Sequence, residues 1–285
     1  MSRVAYQGIA GAYSEEAIRR YYGPEAEAVS CASFAEVFAA VERGECAFGM
    51  LPVENSIAGS VNWSYELLME HDLRIHAEVI LRIRHLLLAA AGTSLGDVRV
   101  VRSHPQALAQ CSKYMIRHEF RAEPAEDTAG AAHDLQEHPE AGVAVIAGRT
   151  AAERTGLEVL DRAIEDSPSN YTRFFVLSLH DAPRAQRNKT SIVFTTPHRP
   201  GALYDCLGEF ASRGVSLCKI ESRPRANRPW QYIFYLDFEG HCCDPACEAA
   251  MIGLLRRSSF VKMLGSYPAA TTPVDEPEGC LEDPA

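Results

Sequence analysis

Residues 98–117 read VRVVRSHPQALAQCSKYMIR, and the fold class turns on how that stretch divides. Val98, Val100 and Val101 carry branched Cβ carbons that suit a pleated strand, so 98–102 is expected to be extended. Pro105 fits the opening of a helix over 104–117, with Ser103 and Gln106 at capping-box spacing. Strand, polar turn, helix is the unit from which parallel sheets are built.

The unit repeats outward. A strand over 3–7 and a glycine-containing turn lead to a helix that Ser14 is expected to cap, with Glu15 and Glu16 in its first turn. Ser33 is expected to cap 34–43, where Phe34, Val37, Phe38 and Val41 recur at helical spacing before Gly44 stops the helix. An apolar strand over 46–51 runs into Pro52-Val53-Glu54-Asn55-Ser56, a helix follows over 61–70, and 73–91 holds two strands. Downstream come a helix over 128–136, a strand over 143–147 and a helix over 149–155. Such alternation implies mostly parallel sheets covered on both faces, and two of them facing each other across a cleft account for residues 1–180.

Residues 181–188 are polar, contain Pro183 and read as a linker. The pattern then changes to a strand over 189–195, a helix from Pro200-Gly201 to Arg213, and strands over 215–221 and 230–239 about a basic, proline-rich turn at 223–229. A helix over 244–256, with Asp244 as cap and Pro245 at its first position, precedes a last strand over 261–266. This βαββαβ order is that of a ferredoxin-like sandwich at 189–268, and the acidic tail 269–285 is expected to be disordered.

Composition narrows the function. A chain of 285 residues points to two domains. No apolar run approaches the roughly 20 residues that span a bilayer, so no membrane is expected as partner. The start runs directly into strand-like sequence with no basic leader, which points to a cytoplasmic protein, a removed organelle-targeting peptide aside. The net charge of −10 argues against nucleic acid, whose phosphates call for a basic surface. Nine cysteines, an odd number, read as reduced thiols. The run from His241 to Cys247 lacks the paired spacing of zinc ligands, so no metal is expected.

Five polar turns stand where strands end and helix N-termini present free N–H groups. They are 8–14, Glu54-Asn55-Ser56 with Gly59, Ser103-His104-Pro105-Gln106, Asp127-Thr128-Ala129-Gly130 and Asn170-Tyr171-Thr172-Arg173. None carries a Walker-type lysine or a full dinucleotide fingerprint, which leaves nucleotide binding without support. The last turn leads into Thr172-Arg173-Phe174, a hydroxyl, a cation and an aromatic ring on successive residues. In a strand, Thr172 and Phe174 share one face and Arg173 takes the other. Ser14, Ser103 and Thr128 also read simply as helix caps, and Asn55 and Ser56 as turn formers.

Together, Gly8-Ile9-Ala10-Gly11-Ala12-Tyr13-Ser14, 52–56, 103–111 and Thr172-Arg173-Phe174 resemble the prephenate dehydratase family. Pro200-Gly201-Ala202-Leu203 and Glu221-Ser222-Arg223-Pro224 resemble the two phenylalanine-binding motifs of that family's ACT regulatory domain. The match covers residues 3–268, with one departure: Ala12 stands where many bacterial members have threonine, and this version is similar to plant arogenate dehydratases.

The resemblance implies an α/β fold, with a two-lobed, periplasmic-binding-protein-like catalytic domain of parallel-rich sheets and a C-terminal ferredoxin-like ACT domain. It implies a cofactor-free and metal-free lyase. The reaction removes a ring hydroxyl and a carboxylate from a cyclohexadiene, driven by aromatisation. Thr172 is then the residue that serves the leaving hydroxyl. Ser14, Asn55, Ser56, Ser103, His104, Thr128, Arg173 and Phe174 are the expected substrate contacts. Gly201, Ala202, Leu203, Glu221, Ser222, Arg223 and Pro224 are the expected site for L-phenylalanine as feedback effector, at an interface in a homodimer or homotetramer. Prephenate is the first expectation for substrate and arogenate the second, with Glu54 or a backbone carbonyl as acceptor for arogenate's ammonium. A reading from another class is a non-enzymatic amino-acid sensor.

Overall fold

The computed structural model describes residues 2–225 and 228–270. The expected tail from 271 onward, with Cys280, and residues 226–227 of the expected turn lie outside them. The described residues divide into two compact units, one from 2–64 with 79–174 and the other from 65–78 with 175–270.

From the N-terminus, β1 (Arg3–Gln7) leads into α1 (Tyr13–Tyr22), β2 (Glu27–Cys31), α2 (Phe34–Glu42), β3 (Phe48–Asn55), β4 (Gly59–Ser60) and α3 (Asn62–Glu70). There follow β5 (Arg74–Arg82), β6 (Leu86–Ala89), β7 (Val100–Ser103), α4 (Pro105–Gln110), α5 (Ser112–Arg117) and β8 (Arg121–Pro124). Then come α6 (Thr128–Glu137), β9 (Val143–Ala147), α7 (Arg149–Thr155), β10 (Glu158–Arg162) and β11 (Tyr171–Ser178). One sheet has the order β2-β1-β3-β11-β5, with β4 paired to β3, and a second has the order β10-β6-β9-β7-β8. β1 runs parallel to β2 and β3, and β7 runs parallel to β8 and β9. β6 is antiparallel to β9 and β10. The expected parallel-rich α/β arrangement is present as two lobes, one about each sheet.

The central strands β6 and β9 of the second sheet are buried on both faces, as their unbroken apolar sequences require. Leu87, Ala144 and Ile146 meet Ala107, Leu108, Cys111 and Met115 of the α4–α5 side. Their strand neighbours Leu86, Leu88, Val143 and Val145 meet Ala129, Ala132, Leu135 and Ala151 of α6 and α7.

Several local expectations are corrected. Ser33 caps α2 as expected, accepting the Glu36 amide at 3.2 Å. Ser14 is not a cap: α1 starts earlier, because the amides of Glu15 and Glu16 both donate to the Ala12 carbonyl. Nor is Ser103, which ends β7 fully buried and donates its hydroxyl to the Ile146 carbonyl at 2.6 Å; the cap of α4 is His104. Thr128 is the first residue of α6, capped instead by Asp127. The helix expected over 104–117 breaks at Cys111, because Asp166 accepts the Lys113 amide at 3.0 Å and the Ser112 hydroxyl at 2.8 Å and so starts a new helix there.

The second unit holds β12 (Asn188–Thr195), α8 (Ala202–Ala211), β13 (Leu217–Arg225), β14 (Arg228–Glu239), α9 (Pro245–Arg257) and β15 (Phe260–Pro268). Their sheet order β13-β14-β12-β15 is antiparallel throughout, which is the ferredoxin-like βαββαβ sandwich expected. The turn expected at 223–229 is narrower than anticipated, since the strands run on to Arg225 and from Arg228. Ile192, Phe194, Leu236 and Phe238 of the sheet bury against Cys206 and Phe210 of α8 and Leu254 of α9. Residues 65–78 join this unit: Lys189 Nζ meets the buried Glu78 carboxylate at 2.7 Å, and Lys262 donates to the carbonyls of Met69 and His71. Among the described residues no helix is long and apolar enough to cross a membrane.

Candidate active site

The first unit contains a pocket of about 230 Å³ between its two lobes. From the first lobe come Gly8, Tyr13, Ser14, Asn55, Thr172 and Phe174. From the second come His85, His104, Gln106, Gln110, Asp127 and Thr128. All five polar turns contribute residues to its lining, the 103–106 turn through His104 and Gln106 rather than Ser103. Strand alternation in β11 puts Thr172 and Phe174 on the pocket face, with Arg173 outside the lining.

A chain of hydrogen bonds runs beneath the pocket, and its proton positions follow from one fixed point. Asn55 Oδ1 accepts the backbone amides of Ile57 at 3.1 Å and Ala58 at 2.9 Å, so its NH₂ group must face the other way. That NH₂ donates to Asn170 Oδ1 at 2.8 Å, Thr172 Oγ1 at 3.0 Å and the Tyr171 carbonyl at 3.2 Å. Asn170 is thereby oriented to donate to Gln110 Oε1 at 2.9 Å. The same oxygen lies 2.9 Å from His85 Nε2, which must therefore carry a proton. A neutral His85 then accepts the Tyr13 hydroxyl at Nδ1, 2.7 Å away.

Two consequences bear on chemistry. Thr172 Oγ1 receives an N–H, so its own proton is free to point elsewhere. Gln110 Nε2 has no partner among the described residues, an unspent donor on a residue that lines the pocket.

Burial pushes the His85 pKa down, only partly offset by its Gln110 hydrogen bond and by Glu165, which keeps the ring neutral. Burial and nearby Glu16 push the Tyr13 hydroxyl well above its ordinary range, so it stays a donor. His104 Nδ1 accepts the Gln106 amide at 3.2 Å, which leaves Nε2–H as the ring's donor. No lysine or arginine is among the described lining residues, and Asp127 is their only carboxylate.

The lobes are tied beside the pocket. Glu15 is 1% exposed and binds Arg154 of α7, Arg19 Nε at 3.0 Å and the Gly11 amide at 2.6 Å. Burial raises its pKa, but the Arg154, Gly11 and Arg19 contacts outweigh that and hold the carboxyl below its usual range. His133 Nε2 also meets the Ala10 carbonyl at 2.9 Å.

The expected catalytic Thr172 lines this pocket, as do Ser14, Asn55, His104, Thr128 and Phe174 of the expected substrate contacts. Ser56, Ser103 and Arg173 do not: Ser56 Oγ donates to the Ser169 carbonyl at 2.8 Å and accepts the Tyr171 amide at 2.9 Å. Glu54 is likewise outside the lining. Sequence reasoning did not single out Tyr13, His85 or Gln110 as members of the site, and named Asn170 only within the 170–173 turn. Gln110 lay inside a quoted motif and Tyr13 inside another, but His85 stands in an apolar stretch and carries no local signal.

In the second unit, Gly201, Ala202 and Leu203 line a separate cavity of about 350 Å³ with Tyr232 and Phe234. Gly201 adopts φ +79° at the start of α8, where no side chain caps the helix. Glu221, Ser222, Arg223 and Pro224 lie on β13 outside that cavity, with Arg223 bound to Glu221 at 2.7 Å and set over the Tyr65 ring. Elsewhere His241, Cys242 and Cys243 bring possible metal-ligand atoms within 4.8 Å of one another, but His241 Nδ1 already accepts the Cys243 amide at 3.1 Å.

Residues 4–182 match the family model described as prephenate dehydratase. Arogenate dehydratase/prephenate dehydratase 2, chloroplastic, of Arabidopsis thaliana is 42% identical over 281 residues, spanning 95% of this chain and 74% of the relative. A prephenate dehydratase from Arthrobacter aurescens, solved in complex with L-Phe, is 32% identical with TM-score 0.87 over 95% of this chain and 91% of its own. GqqA, described as a novel type of quorum quenching acylase, is 35% identical with TM-score 0.87 over 94% of this chain and 98% of its own.

Proposed function

The chain belongs to the prephenate dehydratase family, and we propose that its first-unit pocket carries out the decarboxylating dehydration of prephenate or arogenate with Thr172 serving the leaving hydroxyl. It is a carbon–oxygen lyase of phenylalanine biosynthesis. The ring C–C bond to the carboxylate breaks and releases carbon dioxide, and its electron pair enters the ring as the C–O bond breaks. The departing hydroxide takes one proton and leaves as water.

A threonine hydroxyl is too weak an acid to give up its proton outright. Its part is to hydrogen-bond the developing hydroxide, and the observation that carries this reading is the 3.0 Å donation from Asn55 to Thr172 Oγ1. That donation leaves the hydroxyl proton free to be offered to the pocket and polarises the hydroxyl, the kind of preorganised dipole that is strongest where charge develops. With no cationic side chain in the described lining, substrate carboxylates are held by neutral donors: the uncapped start of α1 at Tyr13 and Ser14, the His104 Nε2–H and the Thr128 hydroxyl. Phe174 shapes the ring pocket. Ser56 and Ser103 act behind it, and Arg173 pins β11 from its other face.

The functional domains on this reading are a dehydratase domain at 1–180, a linker at 181–188, an ACT regulatory domain at 189–268 and a tail at 269–285. L-phenylalanine binds where the backbone at Gly201 approaches closely and the start of α8 offers free N–H groups to a carboxylate. β13 is the edge of its sheet, so a second copy pairing side by side brings Glu221 to Pro224 against the first copy's ligand. The assembly is thus a homodimer or a dimer of dimers, in a reducing, cytosol-like compartment that suits the eight free cysteines described.

An acylase reading, raised by the likeness to GqqA, is less well supported. Among the described lining residues the hydroxyl that meets an imidazole is Tyr13, and no serine or threonine is paired with a base. Incubation with prephenate and with arogenate decides: appearance of phenylpyruvate or phenylalanine supports the dehydratase, and inertness toward both removes it.

A further inference from the structure

Arogenate and prephenate differ at one carbon, which bears an ammonium in the first and a ketone oxygen in the second. Discrimination therefore requires a group near that carbon that welcomes a cation and repels an acceptor. Resting on the dehydratase reading above, we infer that Asp127 receives the substrate's ammonium and makes this pocket selective for arogenate over prephenate.

The lining contains four titratable side chains among the described residues: Tyr13, His85, His104 and Asp127. Tyr13 and His85 are joined to each other and both face the pocket uncharged. His104 is a donor at Nε2, a poor partner for an ammonium. Asp127 is the one carboxylate among the described lining residues. Its Oδ1 is spent on the Gly130 amide at 2.6 Å, while Oδ2 has no hydrogen-bond partner among the described residues. Glu54, the acceptor suggested by sequence, is outside the lining.

The charge balance points the same way. Prephenate carries two carboxylates and nothing positive, and would enter a pocket whose described lining holds one carboxylate and no lysine or arginine. Arogenate brings its own cation. A charge-assisted hydrogen bond to its ammonium converts the same carboxylate from a penalty into an attraction.

The cap role of Asp127 makes the test clean, because Asn and Ser cap a helix about as well as Asp. Asp127→Asn and Asp127→Ser keep an oxygen for the Gly130 amide and remove the charge. The experiment compares kcat/KM for arogenate and for prephenate in wild type and both variants, with thermal melting as the fold control. The wild type is expected to favour arogenate, and the arogenate-to-prephenate ratio is expected to fall about 100-fold in the variants, the weight of a hydrogen bond to a charged group. A ratio that stays within about 3-fold of wild type in a folded variant overturns the inference, as does a wild type that prefers prephenate. Inertness of the wild type toward both substrates would instead overturn the dehydratase reading on which the inference stands.

Discussion

The side-chain amide of Asn55 donates to the Thr172 hydroxyl across 3.0 Å, joining residues 117 positions apart in the chain. The direction of that bond is fixed from behind, because the Asn55 carbonyl oxygen is held by the amides of Ile57 and Ala58. Reversing it without changing shape is therefore informative. Asn55→Asp keeps both backbone contacts but turns an acceptor toward Thr172, which then captures the hydroxyl proton. We expect kcat to fall about 100-fold, the weight of a lost preorganised donor, together with a lower melting temperature, because the new acceptor also faces Asn170 Oδ1 and the Tyr171 carbonyl. Steady-state kinetics beside a thermal melt checks this.

His85 should make stability depend on pH in a defined direction. Its folded pKa lies below the ordinary 6.5, chiefly because the ring is buried. The unfolded chain thus binds more protons as pH falls, so the stability held above 6.5 is lost on acidification from there down to the folded pKa. Chemical denaturation at a series of pH values should show this slope, and His85→Gln should flatten it.

Glu15 joins the two lobes of the first unit through Arg154. Glu15 keeps Arg19 and the Gly11 amide when Arg154 is lost, so Arg154→Met should destabilise the protein by about 1.5 kcal/mol, the weight of one hydrogen bond to a charged group, read from urea unfolding. The Glu15 carboxyl is held below the ordinary 4.5, so its contribution is present above that pH and fades as pH falls through the folded value.

Much of this was legible in the sequence, and the boundary has physical causes. Alternating strands and helices, the βαββαβ order and the Ser33 cap all rest on local signals of turn chemistry and periodicity. The placement of Thr172 and Phe174 on one face of β11 needed only the two-residue period of a strand. Which polar residue actually caps a helix was less legible, because Ser14, Ser103 and Thr128 each stand within two residues of the true cap. The break at Cys111 depends on Asp166, which is remote in sequence. His85 was invisible for the same reason: its meaning comes from Tyr13 and Gln110, and a lone histidine between apolar strands reads as core.

The central claim is that Thr172 serves the leaving hydroxyl, and kcat of Thr172→Ala tests it most directly. With L-phenylalanine binding and the melting temperature as controls, the expected result is a loss of about 100- to 1,000-fold in kcat with both controls intact. A folded Thr172→Ala protein that turns over at nearly the wild-type rate would contradict it.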